Sequence, residues 1–477
     1  MIKENYKLLC KSADNILRNS QSYYKTSIPC LHVLKTHPEI FKKYQNKTEK
    51  KKTKKNNLIR NRNFFRFNSG DIKNFNNNEC FDLIVVSHLI NIDHLTKDED
   101  FYFPEVNSLA KQKKLKTVYV LINHTRERFE TIQKFIGLSK TARLVLSGRV
   151  GILEEIKHLF NVLKEILAIR LFSPYAKEFM LASNNKTLNF YSAIDALGPL
   201  RIARKLEHLI ANFKPSIVMS TFEGHSWERL VFAKSFLSKE NILRVGYQHS
   251  IVNSSHAVFR PLGKIYDPDL ILTSGSVTFA EFEKSYYSIG TRVQIFGSNK
   301  NFNYAKVKHS KQKGFLVIPE GLLGECNKLF RFSLDCAFNY HNLNFVWRLH
   351  PKMSFEELLE NLKLDKAMLP NNIVLSDCNL QEDINRSSHV LYRGSSTVIN
   401  SIYNGLIPVY LDDKTGINID FFKDICSSHH VDCKSDLLKI SKSNSFLYQR
   451  KFIDYISSYF SPIDYSIEFS SKAKQQK

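Results

Sequence analysis

Several short stretches carry side chains suited to an anionic, oxygen-rich ligand. In "VLYRGSSTVINSIYNG", Arg393 and Gly394 are followed by Ser395, Ser396 and Thr397, where an apolar run gives way to a helical pattern. Unpaired amides at a helix start are electropositive, and hydroxyls beside them can hold a phosphate. The same residue types are preferred helix caps, and read alone the stretch fits a cap. In "WRLHP", His350 ends a second apolar run just before Pro351, and Arg348 two residues earlier shares its strand face. An imidazole and a guanidinium on one side of a strand end suit a phosphate. A buried histidine satisfied by a carbonyl is the plainer alternative.

A third stretch, "TFEGHSWERL", puts Glu223 at a strand end before Gly224, with His225 next. A carboxylate there can accept a proton from an acceptor hydroxyl, whose own pKa is far above neutrality. The competing reading is a polar turn residue. Gln248 and His249 in "GYQHS" end the following run and are placed to hold acceptor or donor. In "IPEGLLGE", Glu320 and Gly321 follow the first strand of the second half, where glycine lets backbone amides approach a ligand closely.

Other chemistries lack their signatures. The chain contains no P-loop, no G-x-G-x-x-G after its first strand, no G-x-S-x-G elbow and no H-E-x-x-H. "DED" at 98–100 falls in a charged loop and Asp412-Asp413 closes a strand, so no metal ligands are expected. The eight cysteines are scattered without a C-x-x-C pair, which argues against zinc ribbons and disulfide frameworks and fits a reducing cytoplasm.

These residues need strand ends to position them, and the sequence supplies an alternation of strands and helices. "FDLIVVSHLIN", "KTVYVLINHT" and "ARLVLSGR" are short buried-strand runs. Two long helical stretches follow, and then the strands "SIVMST", "LRVGYQHS", "DLILTSG" and "VQIFGS". After a polar stretch the alternation restarts at "FLVIPEG" and continues through "NFVWRLHP", "NNIVLSD", "HVLYRG" and "IPVYLDD". The fold class expected is α/β, with two Rossmann-like doubly wound domains and a cleft between them. The expected boundaries are a helical and basic segment at 1–62, a first domain at 63–298, a linker at 299–313, a second domain at 314–440 and a tail at 441–477.

Composition sets the outer limits. The chain has 477 residues, comfortable for two domains, and its 43% hydrophobic content suits ordinary globular cores. The formal charge of +23 asks for an anionic partner, although solvated lysines explain part of it. Residues 41–62 carry ten Lys/Arg against one Glu, a flexible cationic linker or a segment attracted to anionic lipid. No nucleic-acid motif appears and aromatics are not interleaved through the basic run, so nucleic acid is not expected as a partner. No apolar run is long enough to span a bilayer, and the first twenty residues lack a signal-peptide core. The expected location is the cytoplasm, with peripheral contact at the inner membrane face.

Taken together, the "RLHP" strand end, the "GSST" helix start and the Glu223-Gly224 pair resemble GT-B glycosyltransferases of bacterial surface-carbohydrate assembly. They are most similar to enzymes using CMP-activated sugars, the sialyl-, polysialyl- and Kdo transferases of capsule and lipopolysaccharide synthesis. The resemblance spans residues 215–413. It implies Glu223 as catalytic base and His350-Pro351 at the donor phosphate, assisting departure of CMP. Ser395 and Ser396 would bind that phosphate, and Glu320-Gly321 would lie beside the nucleotide. Phe222 stands where the sialyltransferase motif has a further acidic residue. The implied reaction needs no metal or cofactor: a nucleotide-sugar donor, CMP-linked, and a glycan or lipid-linked acceptor suffice. A CDP-polyol phosphotransferase of the teichoic-acid type, with His225 or His249 as base, is the alternative enzyme. A non-catalytic nucleotide-sugar-binding or assembly protein is the alternative of another class, and a sugar-nucleotide epimerase stands third.

Overall fold

The computed structural model describes residues 2–19, 21–35, 40–41, 71–76, 79–125, 127–146, 150–252, 256–299, 314–350, 353–413, 418–422, 425, 429–442 and 446–469. Pro351 and, Phe41 apart, the basic run at 41–62 lie outside them, as do residues 300–313 of the expected linker. The chain forms two compact units. The larger comprises Glu4–His249, Ser254–Asn299 and Ser461–Lys477; the smaller comprises Met1–Lys3, Ser250–Asn253 and Lys300–Phe460.

The larger unit is built on eight strands among the described residues: β1 (Ile72–Lys73), β2 (Leu83–Leu89), β3 (Thr117–Asn123), β4 (Arg143–Leu146), β5 (Ile217–Thr221), β6 (Leu243–Gln248), β7 (Leu270–Thr273) and β8 (Arg292–Ile295). Their order is β1-β4-β3-β2-β5-β6-β7-β8, and every pair is parallel except β1 with β4. The central strands are buried on both faces, which is why they read as continuous Val, Ile and Leu runs instead of alternating. From Glu4 onward the N-terminal helix α1 (Ile2–Arg18) belongs to this unit, burying Leu9, Ala13 and Ile16. Two long helices, α2 (Ile152–Phe172) and α3 (Phe190–Phe213), pack on each other and are tied by Arg201–Glu155 and Arg204–Glu154 ion pairs. Helix α4 (Ser226–Phe236) follows β5 and packs on α3.

Among the described residues the smaller unit has six parallel strands: β9 (Gly314–Ile318), β10 (Asn344–Trp347), β11 (Ile373–Leu375), β12 (His389–Tyr392), β13 (Ile407–Leu411) and β14 (His430–Val431). Their order is β11-β10-β9-β12-β13-β14. Helix α5 (Leu323–Asn339) follows β9, α6 (Leu380–Asn385) precedes β12, and α7 (Thr397–Tyr403) joins β12 to β13. Helix α8 (Phe446–Ser457) packs on α7. The chain then rejoins the larger unit, where Ser461 donates to the Ser274 carbonyl and Ile467 enters the core. The expected tail is therefore shared between the units, because its apolar residues have cores to enter.

Both units are doubly wound α/β sheets, as the alternation of strands and helices implied. In the smaller unit the chain starts at the central strand β9, and in the larger, after the short edge strand β1, the parallel strands start at the central β2; each builds outward in one direction, then crosses back and builds the other way. That reversal leaves a crevice at the carboxyl ends of the two strands flanking the switch, where such sheets bind ligands. The flanking strands are β2 and β5 in the larger unit, and β9 and β12 in the smaller.

Candidate active site

In the smaller unit three strand ends interlock at the switch. Gly394 follows β12 with φ at +72°, a left-handed conformation that glycine tolerates and side chains resist. A methyl group there would overlap Oε2 of Glu320, which follows β9. The imidazole of His350, beyond β10, rests on Gly321: a methyl at 321 would lie 3.0 Å from His350 Cε1 and 3.2 Å from Nε2. Glu320, Gly321, His350 and Gly394, separated by up to 74 positions in sequence, thus form one surface.

Ser395 beside this surface is buried and Ser396 is exposed. Ser396 is the N-cap residue of α7 but has helical φ and ψ, and its side chain makes no capping bond. No described residue hydrogen-bonds the hydroxyls of Ser395, Ser396 or Thr397, so the helix is not using them as caps. An open cavity of about 400 Å³ is lined by Gly394, Ser396, Thr397 and Asn400, with Ser250 and Phe460 among its other walls. Its size is that of a small-molecule site, and α7 lines it with the polar Thr397 and Asn400 beside Ile399.

The two arginines expected beside the phosphate are committed elsewhere. Arg348 reaches the buried carboxylate of Asp383 at 2.6 Å and donates to the Cys378 carbonyl at 3.0 Å. Asp383 is held below the usual carboxylate range: burial alone would raise it, but hydrogen bonds from Ser376, Arg348, Cys378 and Arg386 outweigh that. The guanidinium clamps α6 to the end of β10. Arg393 is 1% exposed; it is paired with Glu325 and with Asp413 at 3.0 Å, and donates to the Leu411 carbonyl at 2.7 Å. Both placements have one cause. A guanidinium entering a sheet interior must find carboxylates and carbonyls, and these were available nearby.

In the larger unit the switch between β2 and β5 gathers imidazoles and one carboxylate. Glu223, just after β5, accepts a hydrogen bond from His225 Nε2 at 3.1 Å. Burial works against its ionisation, but the His225 hydrogen bond and the nearby His225, His249 and His256 hold its carboxyl well below the ordinary value. His225 is reciprocally raised: burial opposes its charged form, and the Glu223 hydrogen bond overcomes it. The turn itself is set by Glu228 in the first turn of α4. Its carboxylate, fully buried, accepts from the Glu223 amide at 2.9 Å, the His225 amide at 2.9 Å and the Thr221 hydroxyl at 3.1 Å. Burial pushes that carboxyl up to about 7. Gly224, at φ +76°, has no room for a side chain, since a methyl there would lie 2.7 Å from the Val258 amide nitrogen.

His88 and His124 complete this group, and neither was among the expected site residues. His88 Nδ1 lies 2.8 Å from His124 Nε2, and the His88 ring meets Trp227 edge-on at 5.1 Å and Tyr102 at 5.3 Å. His249 meets Tyr102 in the same way at 5.1 Å, while Gln248 is buried at the end of β6. Burial first and His124 second push His88 down to about 3, so it is neutral at physiological pH. His124 follows the apolar strand β3 as His350 follows β10, whereas His88 lies within β2 with Leu89 after it. The strand-end rule that selected His350 finds His124 but not His88.

Two groupings among the described residues offer ligand-type atoms within 4.8 Å of one another: Asp420 with His429 and His430, and Asp432 with Cys433 and Asp436. Asp420 Oδ2 lies 2.8 Å from His429 Nε2 and 2.9 Å from His430 Nε2, and Oδ1 accepts from the Tyr392 hydroxyl. The sequence reading named none of these as metal ligands.

No protein-family model and no curated protein matches this sequence. Among solved structures, the chain is similar to the UDP-GlcNAc 2-epimerase of Neisseria meningitidis bound to UDP-GlcNAc, with a TM-score of 0.41, 11% identity, and 79% of this chain and 94% of the other covered. An E. coli trehalose-6-phosphate structure bound with UDP-2-fluoro glucose gives a TM-score of 0.43 at 12% identity, covering 78% and 95%. The glycotransferase of kitacinnamycin gives 0.42 at 8%, covering 79% and 96%. Similarities this distant leave the chemistry of this chain to be read from its own residues.

Proposed function

We propose that this protein is a glycosyltransferase that moves a sugar from a nucleotide donor, CMP-linked, to a hydroxyl of a surface glycan or lipid-linked acceptor. The observation carrying this reading is the surface formed by Glu320, Gly321, His350 and Gly394, beside hydroxyls that no described residue engages. It sits at the switch point of the smaller sheet, where the donor's nucleotide and phosphate would bind. Ser396 and Thr397 meet the phosphate in this reading, and His350 assists its departure.

The larger unit supplies the proton acceptor. A carboxylate held as low as Glu223 is by itself a weak base, because strong general bases have pKa values near the working pH. The Glu223–His225 pair titrates as one couple, and the acceptor's proton passes to that pair. The acceptor oxygen then bonds to the anomeric carbon, and the bond from that carbon to the donor phosphate oxygen breaks with its electrons on the nucleotide. With Arg348 and Arg393 engaged elsewhere, the leaving charge is met by His350, the 395–397 hydroxyls and nearby backbone amides.

A panel of CMP, CDP, UDP and GDP in a thermal-shift assay tests the donor. A nucleotide at about 100 times its Kd stabilises by about 2.7 kcal/mol. Greater stabilisation by UDP or GDP than by CMP would remove the CMP assignment. The imidazoles around Glu223 favour one second reading, phosphoryl transfer from a CDP-polyol with His225 or His249 as base. A phosphodiester in the product would identify that reaction.

A further inference from the structure

We infer that the exposed face of α2 docks on anionic lipid bilayers. The helix has two apolar sides. One, with His158, Val162, Ile166 and Ile169, is buried, and the fold uses it. The other carries Ile152, Ile156, Phe160, Leu167, Leu171 and Phe172, each between 57% and 81% exposed. At about 100° per residue, the first five fall within an arc of about 100°, a continuous stripe along the helix. Water-soluble chains rarely leave so long an apolar row uncovered unless it meets something.

The charges on the same helix select the partner. Every exposed residue of α2 is apolar or basic, the cations being Lys157, Lys164 and Arg170. Its three acidic residues are all partly buried: Glu154 and Glu155 pair with Arg204 and Arg201, and Glu165 lies about 170° around the helix from the centre of the stripe. Lys157 and Lys164 border the apolar stripe, where their long stems let the ammonium groups reach lipid phosphates as the stripe enters the acyl boundary. A second copy is a poorer occupant. Two-fold pairing through this face would set the same cations against each other with no exposed acid on the helix to meet them. No described helix is long and apolar enough to cross a membrane, so the contact is interfacial.

The test is co-sedimentation of the full chain with phosphatidylcholine vesicles, with and without one-third phosphatidylglycerol. The parent should partition onto the anionic vesicles. The combined Ile156→Ser, Phe160→Ser and Leu167→Ser variant should lose about tenfold or more in partition coefficient, with an unchanged unfolding midpoint. Lys157→Gln with Lys164→Gln should weaken only the anionic preference. Three results of these arms overturn the inference. They are absence of parent binding, a serine variant that partitions like the parent, and a serine variant that dissociates a dimer without altering partition. A fourth arm replaces Lys50, Lys51, Lys52, Lys54 and Lys55 by Gln. If that alone abolishes binding, the basic run is the contact and the α2 face is not.

Discussion

The His350 ring lies against the bare Cα of Gly321, so close that a single methyl group at 321 would stand 3.0 Å from the ring. Glycine there is a seat for an imidazole as well as a turn residue. Gly321→Ala should displace His350 while leaving the core intact, since no left-handed backbone is required at that position. The expected outcome is a fall of about tenfold or more in kcat, with little change in Tm. Steady-state kinetics beside a melting curve checks it; unchanged kcat would separate His350 from the chemistry.

Glu223→Gln should lower transfer by about 100-fold or more, because the neutral amide cannot share a proton with His225. The pair also predicts a pH signature in stability. Glu223 is depressed from 4.5, so its contribution is present above that value and is lost as pH falls towards its folded pKa. His225 is raised from 6.5, so its contribution is present below that value and is lost as pH rises through its folded pKa. The Tm difference between parent and Glu223→Gln should therefore be greatest between pH 4.5 and 6.5 and shrink on both sides. A difference flat from acid to alkaline pH would mean that the two groups do not pair in solution.

Arg393→Ala should cost about 3–5 kcal/mol of stability, because it leaves the carboxylates of Glu325 and Asp413 buried without their guanidinium. Nucleotide affinity of the folded fraction should stay within about twofold. Urea unfolding and calorimetric titration distinguish this from a donor-binding arginine, whose loss would weaken the nucleotide instead.

Ser396→Ala should do the reverse. Its hydroxyl caps nothing in α7, so Tm should barely move. If the hydroxyl meets the donor phosphate, nucleotide Kd should rise about tenfold, the size expected for one hydrogen bond to a charged group. A lowered Tm with unchanged Kd would restore the capping role.

The contrast between Ser396 and the arginines shows how much of this site was legible in the chain. The sequence assigned Glu320, Gly321, His350 and the 394–397 turn to strand ends, and the structure joins Glu320 to Gly394 and Gly321 to His350. It also paired Arg348 with His350 by strand periodicity. Periodicity assigns a face, however, and says nothing of what carboxylate waits on that face; Asp383 and Glu325 were the stronger partners. His88 and His124 were passed over because their strands lie far from Glu223 along the chain, and nothing local marks them as its neighbours.

By itself, the sequence determined what depends on near neighbours. Continuous β-branched runs, separated by helical periods and punctuated by Gly and Ser, specify two α/β units, and the strand ends specify where polar residues emerge. The tertiary structure alone decided the order of the strands. That order places β2 beside β5 and β9 beside β12, so in each unit residues far apart along the chain meet at its switch point. It also decided which charged groups were consumed in burial. A buried guanidinium is stable only where carboxylates and carbonyls surround it, and those partners come from strands and loops that the local sequence does not contain.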